Sequence, residues 1–198
     1  MSTNRYAAAA ATTMMSVVLA ALLFVPGATV SAATRAQASE GEARQALERA
    51  FQMLRGGEYD GLYDVLPSAS QRRISRERFV SALNRARGMF ELDRMEIEAV
   101  RVAGDLAVVD TVVYGRALQP FQGEGKLVAR QYMTREGGRW RITTGEASTV
   151  RPLLAANPAF ARRFPPREPR VYLRRDGKWV DVNATLKTLR QQRRRARP

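Results

Sequence analysis

The 198-residue chain contains no cysteine and no histidine. The first absence removes disulfides, thiolate nucleophiles and lipoprotein attachment through an N-terminal cysteine. The second removes the usual general base near neutral pH and the commonest metal ligand. Ser-His-Asp and Cys-His catalysis are therefore excluded. Lysine is scarce as well: Lys126, Lys178 and Lys187 are the three among 33 basic residues, and the rest are arginine. Against them stand 19 acidic residues, leaving a formal net charge of +14. The final stretch, "TLKTLRQQRRRARP" over 185–198, has no acidic residue.

What is present suits one globular domain. An apolar fraction of 45% and a charged fraction of 26% can supply a core and a wet surface. The first 38 residues read as an export signal. Arg5 is a thin positive region, and the apolar run Met14–Val25 is broken by Pro26-Gly27. Small residues then offer cleavage after Ala32 ("VSA") or Ala38 ("AQA"). The alternative is an uncleaved anchor, since residues 14–33 approach a spanning length. Either reading places the folded part outside the cytoplasm, in the periplasm or secreted.

From residue 42 the apolar spacing is helical: Ala46, Leu47, Ala50, Phe51 and Leu54 form one stripe, stopped by Gly56-Gly57. "EYDGLYDVL" over 58–66 suggests a short second helix ended by Pro67. Ser75 is placed to cap a third, with Phe79, Val80, Leu83 and Ala86 inward. After Phe90 the period changes to two. Strands are expected at 91–102, with Met95, Ile97 and Ala99 inward, and at 106–117, apolar on both faces and hence central. Two more follow at about 123–135 and 139–145, turning at Gly137-Gly138, with Trp140 and Ile142 inward. Residues 148–168 suggest short helical turns and a Pro-rich linker. Residues 169–182, turning at Asp176-Gly177, suggest a type I′ hairpin packed on the sheet's edge or mouth.

The expected class is α+β, with N-terminal helices gathered on one face of a curved antiparallel sheet, then a C-terminal β-hairpin and a basic helical tail. Two stretches, "GGEYDGLYDVL…RRISRERFVSAL" and "VAGDLAVVDTVVYG" leading to "REGGRWRITTG", resemble the cone-shaped nuclear transport factor 2-like superfamily. Within it the likeness is to secreted bacterial lumazine-binding-like or penicillin-binding-protein accessory domains. It covers residues 42–147 and implies a cone-like domain over 39–147 with a pocket between helices and sheet. It implies no particular activity.

The charge is unevenly placed. Residues 39–150 hold 17 Arg and Lys against 16 Asp and Glu, whereas 151–198 hold 14 against 3. A nucleic-acid partner is disfavoured by export and by a tail lacking aromatic residues for stacking. Contact with an anionic lipid or cell-envelope polymer through Lys187, Arg190, Arg193, Arg194, Arg195 and Arg197 fits charge and compartment. A solvated tail over 183–198 is the plain alternative.

Candidate chemistry is thin. Asp110 interrupts the apolar "AVVDTVV", with Tyr114 four residues on along the same face. As a buried carboxylate it would have a raised pKa and could act as a base. Alternatively it pairs with Arg130 or Arg101 across the sheet. Asp110 and Tyr114 are thus the weak catalytic candidates. The pocket candidates are Tyr59, Tyr63, Asp110, Tyr114, Arg130, Tyr132 and Trp140. No motif implies a cofactor or a metal, and Asp60 with Asp64 lacks calcium-loop spacing. The reading is an exported, non-enzymatic binding or accessory module, with association of two copies through the sheet as a further option. The alternative is a pocket protein or isomerase/hydrolase-like enzyme acting on a hydrophobic ligand through Asp110.

Overall fold

In the computed structural model, residues 32–118, 122–143 and 147–183 are described. Residues 1–35 and 36–198 form two separate units, and the architecture below belongs to the second. The apolar run at 14–25 and the basic tail beyond Asn183 lie outside the described residues, so the leader and tail expectations are not tested here. Among the described residues no helix is long and apolar enough to cross a membrane.

Helix α1 (Ala32–Gly56) starts ten residues before the periodicity predicts, and the second cleavage point falls within its exposed first turns. Ala46, Leu47, Ala50 and Phe51 of the expected stripe are buried, Ala43 joins them, and Leu54 is half-buried. The helix ends in a Schellman motif. Gly57 has φ +80°, and the Glu58 and Gly57 amides donate to the carbonyls of Met53 (2.8 Å) and Leu54 (3.4 Å). Helix α2 (Tyr59–Asp64) and α4 (Arg76–Arg87) follow as expected, with Ser75 capping the latter through its hydroxyl and the Arg78 amide. Between them lies an unexpected single turn, α3 (Ser68–Gln71), opened by Pro67. Tyr63 ties these pieces together. Its hydroxyl sits 3.1 and 3.0 Å from the carbonyls of Gln71 and Ile74, its ring packs on Phe79, and the Arg76 guanidinium lies over the ring.

Six strands form one curved antiparallel sheet: β1 (Phe90–Ala103), β2 (Leu106–Ala117), β3 (Gly123–Glu136), β4 (Arg139–Ile142), β5 (Arg170–Arg175) and β6 (Lys178–Asp181). The order is β1-β2-β3-β5-β6. The long β3 shares its far edge between β4, on Met133–Glu136, and β5, on Gly125–Val128. The C-terminal hairpin therefore extends the sheet itself. Its turn has positive φ at both Asp176 and Gly177, as does the Gly137-Gly138 turn, which is the I′ signature.

Strand β1 departs from simple alternation. Its register with β2 shifts between Leu92 and Arg94 and again between Ile97 and Ala99, leaving Asp93 and Glu98 as bulge residues. Each bulge resets the side-chain period, so Met95, Ile97, Val100 and Val102 all pack on the α1 side. The expectation for Ala99 is corrected: paired with Asp110, it points to the other face.

Strand β2 is apolar on both faces and central, as expected, and both faces are covered. Ala107 and Val109 join Met133, Trp140 and Ile142 beneath α1. Val108 joins Tyr132 beneath α5 (Ala147–Ala156) and α6 (Pro158–Arg163), where Val150, Leu154, Phe160 and Phe164 complete a second core. The N-terminal helices gather on one face as expected, and the helical turns expected at 148–168 cover the other. A strand without a polar face needs a cover on each side.

The bulge at Asp93 presses β1 onto Gly115, where a Cβ would collide with the backbone carbonyl oxygen of Glu91. Gly115→Ala is expected to cost about 1–3 kcal/mol, as other overpacked sites do. The check is a thermal melt: Tm should fall by several degrees, and an unchanged Tm would mean that the bulge relaxes freely.

Candidate functional site

Two cavities flank the sheet, one on each face, and they differ in chemistry. The first lies between α1, α2, α4 and the sheet and has a volume of about 730 Å³. Leu47, Ala50, Phe51 and Leu54 of α1 form one wall, and Phe79, Ala82 and Leu83 of α4 another. Met95, Thr111, Val113, Gln131 and Ile142 form the floor. The size and the apolar lining with a few polar groups are those of small-molecule sites.

Its polar groups divide into satisfied and available. Thr111 donates its hydroxyl to the Ala129 carbonyl (3.2 Å), and Thr143 to that of Tyr132 (2.9 Å). Gln131 is half-buried on the floor, and among the described residues its amide has no hydrogen-bond partner. Two arginines complete the lining from exposed positions: Arg73, which donates to the Ser148 carbonyl, and Arg78. No carboxylate, phenol or amine lines this cavity.

The second cavity, about 830 Å³, lies on the opposite face beside the hairpin, lined by Glu98, Asp110, Arg130, Arg167, Arg170, Tyr172 and Asp181 among others. Asp110 and Arg130 are directly paired across β2 and β3 and form a bidentate ion pair: Nε to Oδ1 at 2.8 Å and Nη2 to Oδ2 at 2.9 Å. The side chains are 15% and 5% exposed. Arg101 Nη1 adds a contact at 3.3 Å to Oδ2. The remaining Arg130 nitrogen, Nη1, donates to the Pro165 carbonyl (3.1 Å), and the Tyr132 hydroxyl donates to that of Phe164 (3.1 Å). Neighbours on β3 thus hold the segment that leads from α6 into β5.

The bond from Arg130 keeps the Asp110 carboxyl below the usual carboxylate range. This reverses the raised pKa anticipated for a base and selects the ion-pair alternative. Burial raises the Tyr132 phenol, with the Arg130 charge opposing. Tyr114 is on the same face but apart, in a third hollow of about 540 Å³ with Arg94 and Trp179. Its ring lies 3.8 Å beneath the Arg94 guanidinium and its hydroxyl donates to Glu96 (3.1 Å).

The seven pocket candidates are therefore not brought together. Asp110 and Arg130 meet, with Tyr132 beside them. Tyr59 is buried in α2, Tyr63 fastens α2 to the turn before α4, and Trp140 lies in the α1 core under Arg135. None of the seven lines the apolar cavity. The residues that do line it carried a quieter signal: Ala50, a small side chain within the α1 stripe, Ala82, a small and exposed side chain beside Leu83, and Gln131, a polar residue on an inward strand position. Asp60 and Asp64 both face Arg76, and among the described residues no three Asp or Glu cluster as metal ligands would.

No family model and no curated protein matches the chain. Among solved structures it is similar to a nuclear transport factor 2-like protein of unknown function from Pseudomonas putida (22% identity, 54% of this chain, 82% of that one, TM-score 0.37). It is also similar to an LEH-like epoxide hydrolase from M. tuberculosis (16% identity, 63% of this chain, 98% of that one, TM-score 0.37). At that TM-score the likeness assigns neither membership nor residue roles, and the nearer resemblance to lumazine-binding-like or penicillin-binding-protein accessory domains is not shown.

Asp110→Asn leaves the nearly buried Arg130 charge without its partner and is expected to destabilise the fold by about 3 kcal/mol near neutral pH. The folded pKa of Asp110 is depressed, so its contribution is complete above the unfolded value near about 3.9 and is lost as pH falls through the folded value. Urea melts of both proteins from pH 7 to pH 3 should show a constant gap down to about pH 5 and a shrinking gap below about pH 4. A gap independent of pH would remove the ion pair from the account.

Proposed function

We propose that the chain is an exported binding protein that holds a small apolar ligand, without turning it over, in the cavity between α1–α4 and the sheet. The observation that carries this reading is the cavity itself: about 730 Å³, walled by aliphatic and aromatic side chains from three helices and floored by the sheet. Burial of apolar ligand surface there yields about 25 cal/mol per Å², and the Gln131 amide offers one directional hydrogen bond. The lining supplies no acid–base pair. Asp110, the residue on which an enzymatic reading would rest, lies on the other face and is saturated by Arg130. The exported setting rests on the leader-like first 38 residues: Arg5, the Met14–Val25 run, the Pro26-Gly27 break and the small residues before Ala32 and Ala38.

Titration with the neutral dye N-phenylnaphthylamine is expected to give saturable fluorescence enhancement at one dye per chain. Ala82→Trp, which fills the cavity from α4, should reduce dye affinity at least tenfold while leaving Tm within a few degrees of the parent. Trp179→Ala, on a different surface, should bind as the parent does. Equal binding by Ala82→Trp would place the dye elsewhere and remove the cavity from the reading.

The charge division favours a second role, contact of the basic C-terminal quarter with an anionic envelope lipid or polymer. Residues 184–198 hold Lys187 and five arginines. Sedimentation with phosphatidylglycerol vesicles should be strong for the full chain at low salt, weak at high salt, and weak at both for a chain ending at Asn183. Unchanged sedimentation of the shortened chain would rule the tail out.

A further inference from the structure

The charges that reach the apolar cavity have one sign. Some described arginines meet carboxylates: Arg76 with Asp60 and Asp64, Arg94 with Asp93 and Glu96, Arg174 with Glu124. Arg135 meets Glu42, and Asp110 takes both Arg101 and Arg130. The two arginines at the apolar cavity are not among them. Arg73 and Arg78 are its charged lining residues; Arg73 donates to a backbone carbonyl, and among the described residues Arg78 has no carboxylate within ion-pair distance. Both are exposed, which puts their guanidinium groups at the rim, whereas the walls behind them are Ile74, Phe79, Ala82 and Leu83.

We propose that the cavity takes an amphipathic anion, a single apolar chain inside with its oxyanion head, carboxylate or phosphate monoester, held at Arg73 and Arg78. This rests on the binding reading above and narrows it. The arginine fork suits either head, since both present paired oxygens in the spacing that guanidinium recognises. Because the arginines sit at the water boundary, the head stays partly hydrated and no buried charge is created. The chain then gains affinity by methylene burial, about fourfold for each CH₂ until the cavity is full. A neutral ligand of equal length would gain the same burial and lose the head.

Displacement of N-phenylnaphthylamine from the full chain tests this with three probes of equal chain length: laurate, dodecyl phosphate and dodecanol. The expected result is that laurate, dodecyl phosphate or both compete at least tenfold better than dodecanol at low salt, with the advantage shrinking at high salt. The better of the two names the head. Arg78→Gln and the double variant Arg73→Gln/Arg78→Gln should lower oxyanion affinity to the dodecanol level and leave dodecanol unchanged. Unchanged dodecanol affinity also shows that losing the Arg73 bond to Ser148 has not damaged the cavity. Equal competition by all three in the parent overturns the proposal while the cavity reading stands. An oxyanion preference that survives in the double variant overturns it too. Absence of dye binding and of competition by any probe overturns both.

Discussion

Strand β2 has no polar face, and much of the structure follows from that. Ala107 and Val109 point one way and Val108 and Val112 the other, so neither side of the strand can be left to water. One face is met by α1 and the helices after it. The other is met by α5 and α6, whose Val150, Leu154, Phe160 and Phe164 close over Val108 and Tyr132. The connection from α6 back to β5 must then cross the covered face to reach the free edge of β3. Arg130 and Tyr132 fix that crossing by donating to the carbonyls of Pro165 and Phe164.

Placing Arg130 there obliges the sheet to hold a charge where it would otherwise hold a methyl group. Asp110, its direct cross-strand partner, resolves this. The pair is less a source of net stability than a condition for the arrangement: breaking one half leaves a buried ion, whereas the intact pair about balances its desolvation. It also removes the fold's best-placed carboxylate from chemistry. Both oxygens already accept hydrogen bonds, and a depressed pKa makes Asp110 a poor proton acceptor.

What was legible in the sequence was local. Ser75 before "RERF", Gly56-Gly57 after a helical stripe, and the turn pairs Gly137-Gly138 and Asp176-Gly177 each carry their mechanism within a few residues. The bounds of β2 at Leu106 and Ala117 came out as read, and the α+β class followed from the change of period at Phe90. The bulges at Asp93 and Glu98 were not legible, because a bulge is fixed by what lies opposite on β2. The single assumed alternation carried Ala99 to the wrong face. The position of α5 and α6 also depends on a distant strand. The candidate site suffered most. Tyrosines and an interrupting aspartate are the conspicuous residues, yet an empty space is marked by what is small: Ala50 looks like an ordinary core alanine, and Ala82 is exposed and lies outside the expected stripe of α4.

That the space between α4 and the sheet stays open needs a physical cause, since apolar walls attract each other through burial. Rigidity on the helix side supplies one. Tyr63 bonds the carbonyls at the end of α3 and before Ser75, packs on Phe79 and carries Arg76 on its ring, so α2, α3 and α4 move as one body. Arg76 adds a bond to the Asp64 carboxylate, and Arg141 of β4 bonds the Asp64 carbonyl, holding that body to the sheet. The sheet contributes the opposite constraint. Bulges at Asp93 and Glu98 bend β1, the strand that carries Met95 of the cavity floor. Collapse would require straightening β1 or breaking the Tyr63 knot, each at the expense of several hydrogen bonds. The cavity is thus an open contact between two surfaces held apart, a shape in which a ligand would recover burial that the chain by itself does not reach.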